Sequence, residues 1–252
     1  VGGGVITDLT GYIASVYMRG IRFGFVPTTL LAMVDASVGG KNGVDLGVYK
    51  NMVGLVKQPA FIVYMPKLLR SLPEVEWRNG FAEIIKHAAI ADAAMFRMLA
   101  ANRLRSYRSN AHQLNELIVK NALLKARIVQ KDPFEHGVRR LLNFGHTVGH
   151  ALENQYALSH GEAISIGMTC AALVSYHVAA FRDPEKLIAL LDRYGLPTYA
   201  KFDADKVMNV LKMDKKRERA AVHYVVLERI GKAATLPVSL TALSHYLKSF
   251  QA

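Results

Sequence analysis

The spacing of apolar positions divides the chain into two parts. Over the first 72 residues, short apolar runs alternate with glycine-rich turns. The runs at 21–27 and 61–64 predict strands, the first ended by Pro27 and the second buried. From residue 73 onward, apolar residues recur mostly at helical spacing. We therefore predict an α/β domain over residues 1–72, followed by a mainly helical domain over residues 73–252.

The helical pattern extends over most of the second part. It predicts helices over 112–130, 162–180, 183–193, 203–212 and 239–249, and a strand over 223–228. Asp132-Pro133 breaks the first of these helices. A further helical segment at 80–90 places Glu83, Lys86 and His87 on one face. A surface ion pair between Glu83 and Lys86 is one interpretation, and a functional cluster is the other.

Two glycine-rich stretches are candidate anion sites. The first, residues 2–8, leads into a segment with helical character at 9–18, where backbone N–H groups could meet a phosphate. The second, residues 34–45, predicts a loop that could cradle a nucleotide. Between them, Thr28 and Thr29 lie at a predicted helix start. A plain structural turn and a solvent-exposed loop remain the alternatives for the two stretches.

Three histidines are candidate metal ligands. His146 and His150 are four residues apart, which places both imidazoles on one face of a helix. His160 follows in a polar turn. Neutral imidazole is a common ligand for zinc, although the metalloprotease pattern requires Glu after the first histidine and Thr147 is there. Spacing alone leaves open whether these are ligands or ordinary histidines, and it favours pairing His146 with His150.

Composition and charge narrow the class of partner. Hydrophobic residues form 51% of the 252 residues and charged residues 21%, which is typical of a folded globular protein. No apolar run approaches the roughly 20 residues of a membrane span, and no signal segment opens the chain. The single cysteine, Cys170, favours a reducing, cytoplasmic location. The net charge is +12, but the basic residues are scattered. We expect a multiply anionic, phosphorylated small substrate, with no nucleic acid and no membrane as partners.

Several motifs together resemble the 3-dehydroquinate synthase family of the sugar-phosphate cyclases. The matching stretches run in family order along the whole chain: the glycine turn at 2–9, 27–32, 34–41, 50–51, 80–86, 125–129, 142–150, 160–163 and 214–216. The resemblance implies a Rossmann-like NAD-binding domain, truncated because its first half is missing before the triple glycine, and a helical domain for metal and substrate. It also implies a homodimer.

The resemblance assigns roles to individual residues. The implied ligands of a zinc or cobalt ion are Glu83, His146 and His160. The implied substrate contacts are Arg19 (from the other subunit), Asp35, Lys41, Asn51, Lys86, Lys125, Arg139, Asn143, His150, and Lys215 or Lys216. The implied NAD contacts are Gly4, Val5, Ile6, Thr7, Asp8, Thr28, Thr29, Lys41, Lys50, Leu68, Leu69, Arg70 and Ser71.

The resemblance also implies a reaction. The substrate would be 3-deoxy-D-arabino-heptulosonate 7-phosphate, converted to 3-dehydroquinate by transient oxidation, phosphate elimination, reduction and aldol closure. Arg139 with Asn143 favours this carboxylated sugar over sedoheptulose 7-phosphate, the substrate of sister cyclases. Another cyclase of this superfamily, or an NAD- and metal-dependent alcohol dehydrogenase of related fold, is the alternative.

Overall fold

The computed structural model describes residues 1–46, 49–214 and 221–251, with the side chains of 46, 49–51 and 212–214 outside the described part. It separates into two compact units. Unit 1 comprises Val1–Ile84 and Leu104–Arg139, and unit 2 comprises Ile85–Arg103 and Arg140–Ala252. Unit 1 contains residues from both sides of position 72, so the two units do not coincide with the predicted division by function. The division at residue 72 stays a prediction.

Unit 1 begins with helix α1, Gly4–Val16, which packs on an antiparallel hairpin of β1, Lys41–Leu46, and β2, Tyr49–Val56. The helix starts within the glycine stretch predicted as a turn, because Gly3 already has the extended backbone of an N-cap. Part of the predicted loop at 34–45 is also regular. Residues Ala32–Ala36 form a π-helical turn, and residues from Lys41 onward form β1.

The predicted strands of unit 1 are reduced to two parallel bridges. Gly2 pairs with Pro27, and Phe25 pairs with Ile62. Phe61 is 58% exposed, so the prediction that segment 61–64 is buried is wrong. The segment hydrogen-bonds to Phe25 through Phe61 and Val63, and because side chains alternate along a strand, these odd-numbered residues face outward. The parallel pairing itself agrees with the α/β class expected for this part.

The rest of unit 1 is helical. A 3₁₀ turn, Pro66–Ser71, precedes helix α2, Glu74–Ala91, whose first part lies in this unit. Helices α4, Leu104–Ser109, and α5, Ala111–Lys131, also belong to it. The side chain of Asn110 caps α5 by accepting a hydrogen bond from the Gln113 N–H at 3.1 Å. The helix ends at Asp132-Pro133, as predicted.

Unit 2 is a helical assembly that also contains a β-hairpin. After the end of α2, its helices are α3, Ala93–Ala101; α6, His146–Gln155; α7, His160–Val178; α8, Pro184–Arg193; α9, Ala204–Asp214; and α10, Leu240–Gln251. Helix α7 is buried along most of its length and contacts α6, α8, α10 and a strand. It therefore forms the core of the unit.

The hairpin of unit 2 pairs β3, Ala221–Arg229, with β4, Lys232–Ser239. The sequence predicted β3 but missed β4. Pro237 obscures the pattern of β4, yet it is tolerated because a two-stranded sheet consists only of edge strands. Gly231, with φ of +82°, provides the tight turn. Among the described residues, no helix is long and apolar enough to cross a membrane.

Candidate functional site

In unit 1, the glycine turn leads directly into the N-terminus of helix α1. Because α1 begins at Gly4, the first N–H groups after it have no partner within the helix. Thr7 is buried, and its hydroxyl donates to the Gly4 carbonyl at 2.7 Å. Burial raises the pKa of Asp8 to about 7; Lys125 opposes this shift, and the carboxylates of Asp35 and Asp45 add to it.

The π-helical turn contains Asp35, whose carboxylate pairs with Lys125 of α5. Their side-chain atoms are 2.9 Å apart, and Lys125 also donates to the Asp35 carbonyl at 2.7 Å. Both side chains are largely removed from solvent, 10% exposed for Lys125 and 21% for Asp35. A buried ammonium requires such partners. The structure thus brings together two residues predicted from stretches that are 90 positions apart.

Arg139 reaches the same glycine loop. Its guanidinium donates to the carbonyls of Gly39 at 2.9 Å and Pro133 at 2.5 Å, and the side chain is 3% exposed. Gly39 has φ of +116°, and a Cβ there would lie 2.7 Å from the guanidinium nitrogen. Glycine is therefore required both for backbone conformation and for the approach of Arg139. Burial lowers the pKa of Arg139, while Glu135, Asp132 and Asp35 oppose that shift.

Glu135 contacts Lys41, a pairing that no sequence pattern indicated. The two side chains form an ion pair between strand β1 and the loop that follows α5. Glu135 itself has φ of +63°. The loop is held by the Asp132 carboxylate, which accepts hydrogen bonds from the N–H groups of His136, Gly137 and Arg139. The pKa of Asp132 is lowered: desolvation raises it, but the three N–H groups and the nearby His136 side chain together lower it by more.

Other expected contacts lie nearby or outside the described residues. Asn42 is buried, and its amide donates to the carbonyls of Gly40 and Lys57, which joins the glycine loop to the end of β2. The Thr29 hydroxyl accepts from the Ala32 N–H at 3.2 Å, as expected for a helix start. The side chains of Lys50 and Asn51, and both Lys215 and Lys216, lie outside the described part of the chain.

Four expected NAD contacts, residues 68–71, lie in the 3₁₀ turn Pro66–Ser71, where mainly backbone groups are available to a cofactor. Leu69 is 1% exposed, so its side chain packs in the core, whereas Leu68, Arg70 and Ser71 are exposed. Arg19 is also exposed, in the short 3₁₀ turn Tyr17–Arg19 that follows α1. Its φ of +65° follows a φ of +49° at Met18, a conformation that L residues rarely adopt. Such strained positions are often functional.

Helix α2 carries three polar residues in a buried stretch. Glu83 and His87 are 0% exposed and Lys86 is 1% exposed. A surface ion pair at this position is therefore excluded. Burying ionisable groups on a helix costs free energy unless they are paired or bound to a ligand. The burial therefore favours the functional interpretation.

In unit 2, helix α6 begins at His146, so His146 and His150 are one turn apart as predicted. Their rings make an edge contact at 5.0 Å between centroids, and His146 makes a second with His160 at 5.9 Å. His150 is exposed, while the other two are partly buried. Nδ1 of His146 lies 3.2 Å from the Phe144 carbonyl. A carbonyl can only accept, so Nδ1 carries the hydrogen and Nε2 is left as a potential ligand.

The histidines are held close by glycines on two helices. A Cβ on Gly167 of α7 would lie 2.0 Å from the Gly145 carbonyl oxygen and 2.8 Å from the Gly149 nitrogen. These two atoms form the first backbone hydrogen bond of α6. Gly145 has φ of +79° and lies against Ile164 and Met168 of α7. Backbone contact between α6 and α7 thus sets the separation of His146 from the start of α7.

A capping box fixes the start of α7. The Ser159 hydroxyl accepts from the Glu162 N–H, and the Glu162 carboxylate accepts from the Ser159 N–H at 2.8 Å. His160 is the first residue of the helix, and its Nδ1 lies 3.6 Å from the Glu153 carboxylate of α6. The remaining expected contact, Asn143, is half-buried at the end of the 3₁₀ turn Val138–Asn143.

Comparison with protein families matches nearly the whole chain to two models. Residues 1–79 match "3-dehydroquinate synthase N-terminal", and residues 80–217 match "3-dehydroquinate synthase C-terminal". A curated relative, the 3-dehydroquinate synthase of Chlamydia muridarum (strain MoPn / Nigg), is 43% identical over 270 residues. That match covers 98% of this chain and 72% of the relative.

Two solved structures share the fold. The 2-epi-5-epi-valiolone synthase of Streptomyces hygroscopicus subsp. jinggangensis 5008, solved with NAD+ and Zn2+ bound, is 28% identical with a TM-score of 0.89; the match covers 99% of this chain and 71% of that one. A 2-deoxy-scyllo-inosose synthase, complexed with carbaglucose-6-phosphate, NAD+ and Co2+, is 26% identical with a TM-score of 0.85. That match covers 99% of this chain and 73% of the other. Both have the Rossmann-like plus helical fold predicted for this chain.

Proposed function

Because the chain belongs to the 3-dehydroquinate synthase family, we propose that it converts 3-deoxy-D-arabino-heptulosonate 7-phosphate to 3-dehydroquinate and phosphate. This is a phosphorus–oxygen lyase reaction of the shikimate pathway, in aromatic amino acid biosynthesis. The structural observation that carries the proposal is the cationic cluster around loop 35–41 of unit 1. There Lys125 and Arg139, both largely buried, reach the backbone of the loop from sequence positions that are about 90 to 100 residues away.

The cluster suits a substrate with two anionic groups. Lys125 offers a compact ammonium, and Arg139 offers a planar fork that fits carboxylate or phosphate. Asp35 pairs with Lys125 and Glu135 pairs with Lys41, so the charges of these lysines are satisfied within the protein. The oxidation of a simple alcohol requires no such set of cationic side chains. This favours the lyase over the alcohol dehydrogenase alternative.

NAD fits the first glycine turn. The free N–H groups at the start of α1 and the helix dipole suit a pyrophosphate, so Gly4, Val5 and Ile6 are the proposed contacts. Thr7 braces this turn through its bond to Gly4. Asp8, Thr28, Thr29, Lys41, Lys50 and residues 68–71 complete the proposed cofactor set.

The proposed ligands of a zinc or cobalt ion are Glu83, His146 and His160. Two imidazoles and one carboxylate leave a position open for substrate oxygen, as in other catalytic zinc sites. His146 presents Nε2 because Nδ1 is engaged by a carbonyl. Glu83 supplies a carboxylate that is wholly buried, where a cation would offset its charge. When bound, NAD supplies a reversible hydride acceptor and the metal supplies a Lewis acid.

The chain's own residues then bind and orient the sugar phosphate. Lys86, Asn51, Asn143 and His150 remain proposed substrate contacts, together with Lys215 or Lys216. Arg19 is proposed to reach the phosphate of a second subunit in a homodimer; its exposure and left-handed backbone support this role. Light scattering would test the dimer. A cytoplasmic location is supported by the single, buried Cys170.

The test is phosphate release from the heptulosonate phosphate with NAD, before and after chelation and metal replenishment. Release that requires metal supports the proposal. Arg139→Lys keeps the charge but loses the fork, so kcat/KM should fall more than about tenfold. Arg140→Lys is the matched control and should retain activity. Wild-type activity in Arg139→Lys would contradict the proposed carboxylate contact.

A second candidate is a cyclase of another sugar phosphate, favoured by the two structural neighbours, which are themselves such cyclases. Sedoheptulose 7-phosphate and glucose 6-phosphate are therefore assayed in parallel. Faster phosphate release from either sugar than from the heptulosonate phosphate would move the chain to this sister activity.

A further inference from the structure

Glu153 lies where a carboxylate can orient a metal-binding histidine. It follows His146 by seven residues and His150 by three on α6, so the three side chains share one face of the helix. That face meets the start of α7, where His160 is the first helical residue. Glu153 is only 14% exposed, and its carboxylate lies 3.6 Å from Nδ1 of His160. The family resemblance assigns no role to this residue.

We propose that Glu153 is a positioning residue that holds the His160 ring with Nδ1 protonated and Nε2 directed to the metal. The inference rests on the metal site of the proposed function. At 3.6 Å the two groups make an ion-pair contact that is longer than a hydrogen bond, and the negative carboxylate favours a hydrogen on the ring nitrogen that faces it. The charge of Glu153 also makes the opposite nitrogen a better electron donor.

Glu162, the other carboxylate near His160, does not orient the His160 ring. Glu162 is also close in sequence to His160, but its side chain is engaged by the Ser159 N–H in the capping box. The capping box fixes the backbone of His160, and Glu153 fixes its ring. His146 is oriented in the same sense by the Phe144 carbonyl at 3.2 Å. Each of the two proposed imidazole ligands therefore has a defined partner for Nδ1.

The test measures Zn2+ affinity of the whole chain by competition with a chelating dye. Glu153→Ala should weaken binding by about 10- to 100-fold, as is typical when the partner of a ligating histidine is removed. Glu153→Gln should lose less zinc affinity, because its amide oxygen keeps a partial negative charge facing Nδ1–H. Glu185→Ala, which removes an exposed carboxylate of α8 in the same unit, is the matched control and should leave affinity unchanged.

Histidine ring ¹⁵N spectra of the zinc-loaded protein provide a second readout. In the wild type, His160 should show a protonated Nδ1 and a metal-bound Nε2; in Glu153→Ala this signature should broaden or shift to the other tautomer. Unchanged zinc affinity and an unchanged His160 tautomer in Glu153→Ala would overturn the inference. Equal losses in Glu153→Ala and Glu185→Ala would also overturn it. A wild-type chain that binds no Zn2+ would instead refute the metal site of the proposed function.

Discussion

Substitution of Gly167 by alanine should separate the two helices that carry the histidines. The new Cβ would lie 2.0 Å from the Gly145 carbonyl oxygen and 2.8 Å from the Gly149 nitrogen. Real Cβ atoms essentially never approach closer than 3.0 Å. The backbones of α6 and α7 must therefore move apart by about 1 Å at this point, since close-packed interiors have no room to absorb a methyl group.

The separation of α6 and α7 in Gly167→Ala should lower metal affinity more than it lowers the free energy of unfolding. Overpacking costs about 1–3 kcal/mol, and replacing glycine by alanine in a helix returns about 1 kcal/mol. The net loss of stability is then roughly 0–2 kcal/mol. Metal sites, by contrast, require ligand distances within about 0.2 Å. His146 lies on the turn of α6 that must move, so we expect metal affinity to fall by at least about tenfold.

The assay compares Gly167→Ala with Val174→Ala, a buried residue two turns further along α7. Val174→Ala removes two methyl groups and should cost roughly 1–2 kcal/mol without adding any atom between the helices. Thermal unfolding gives the stability of each variant, and calorimetric titration with Co2+ gives its metal affinity. Weak metal binding in Gly167→Ala alone is the expected result. Wild-type affinity in a folded Gly167→Ala would refute the reasoning.

Three further substitutions test other parts of the structure. Asp8→Asn should change the pH dependence of stability. In the folded protein the pKa of Asp8 is about 7, well above its ordinary value of 3.8, so ionisation of Asp8 destabilises the fold as pH rises from 4 to 7. In urea unfolding, the free energy of unfolding of the asparagine variant should rise relative to that of the wild type by up to a few kcal/mol across that pH range. A difference between the two proteins that does not change with pH would contradict the raised pKa of Asp8. Lys125→Met leaves the Asp35 carboxylate buried without its ammonium, so it should cost about 2–3 kcal/mol, and adding Asp35→Asn should recover part of it in a double-mutant cycle. Ser159→Ala removes a cap of α7 and should cost about 1 kcal/mol in thermal unfolding, whereas Ser159→Thr should cost less.

Local chemistry made much of the fold predictable. The helix at Ala111–Lys131 begins and ends within about one residue of its predicted range, because its apolar period and the Asp132-Pro133 break are both local signals. The parallel strands were less predictable. Segments 21–27 and 61–64 have the apolar residues of strands, but only Phe25, Pro27 and Ile62 pair. Strand formation requires a partner, and no property of a single segment reveals how much of it will be paired.

The sequence by itself determined the class of fold, the order of the motifs and the candidate ligands. The spacing of His146 and His150 fixes their relation, since residues four apart on a helix always share a face. Only the tertiary structure decided which distant groups meet. Arg139 hydrogen-bonds to Gly39, which is 100 positions earlier in the chain. Glu153, and not Glu162, faces His160, and Gly167 sets the distance between α6 and α7. These contacts depend on the packing of whole elements, and a helical period carries information over a few turns at most.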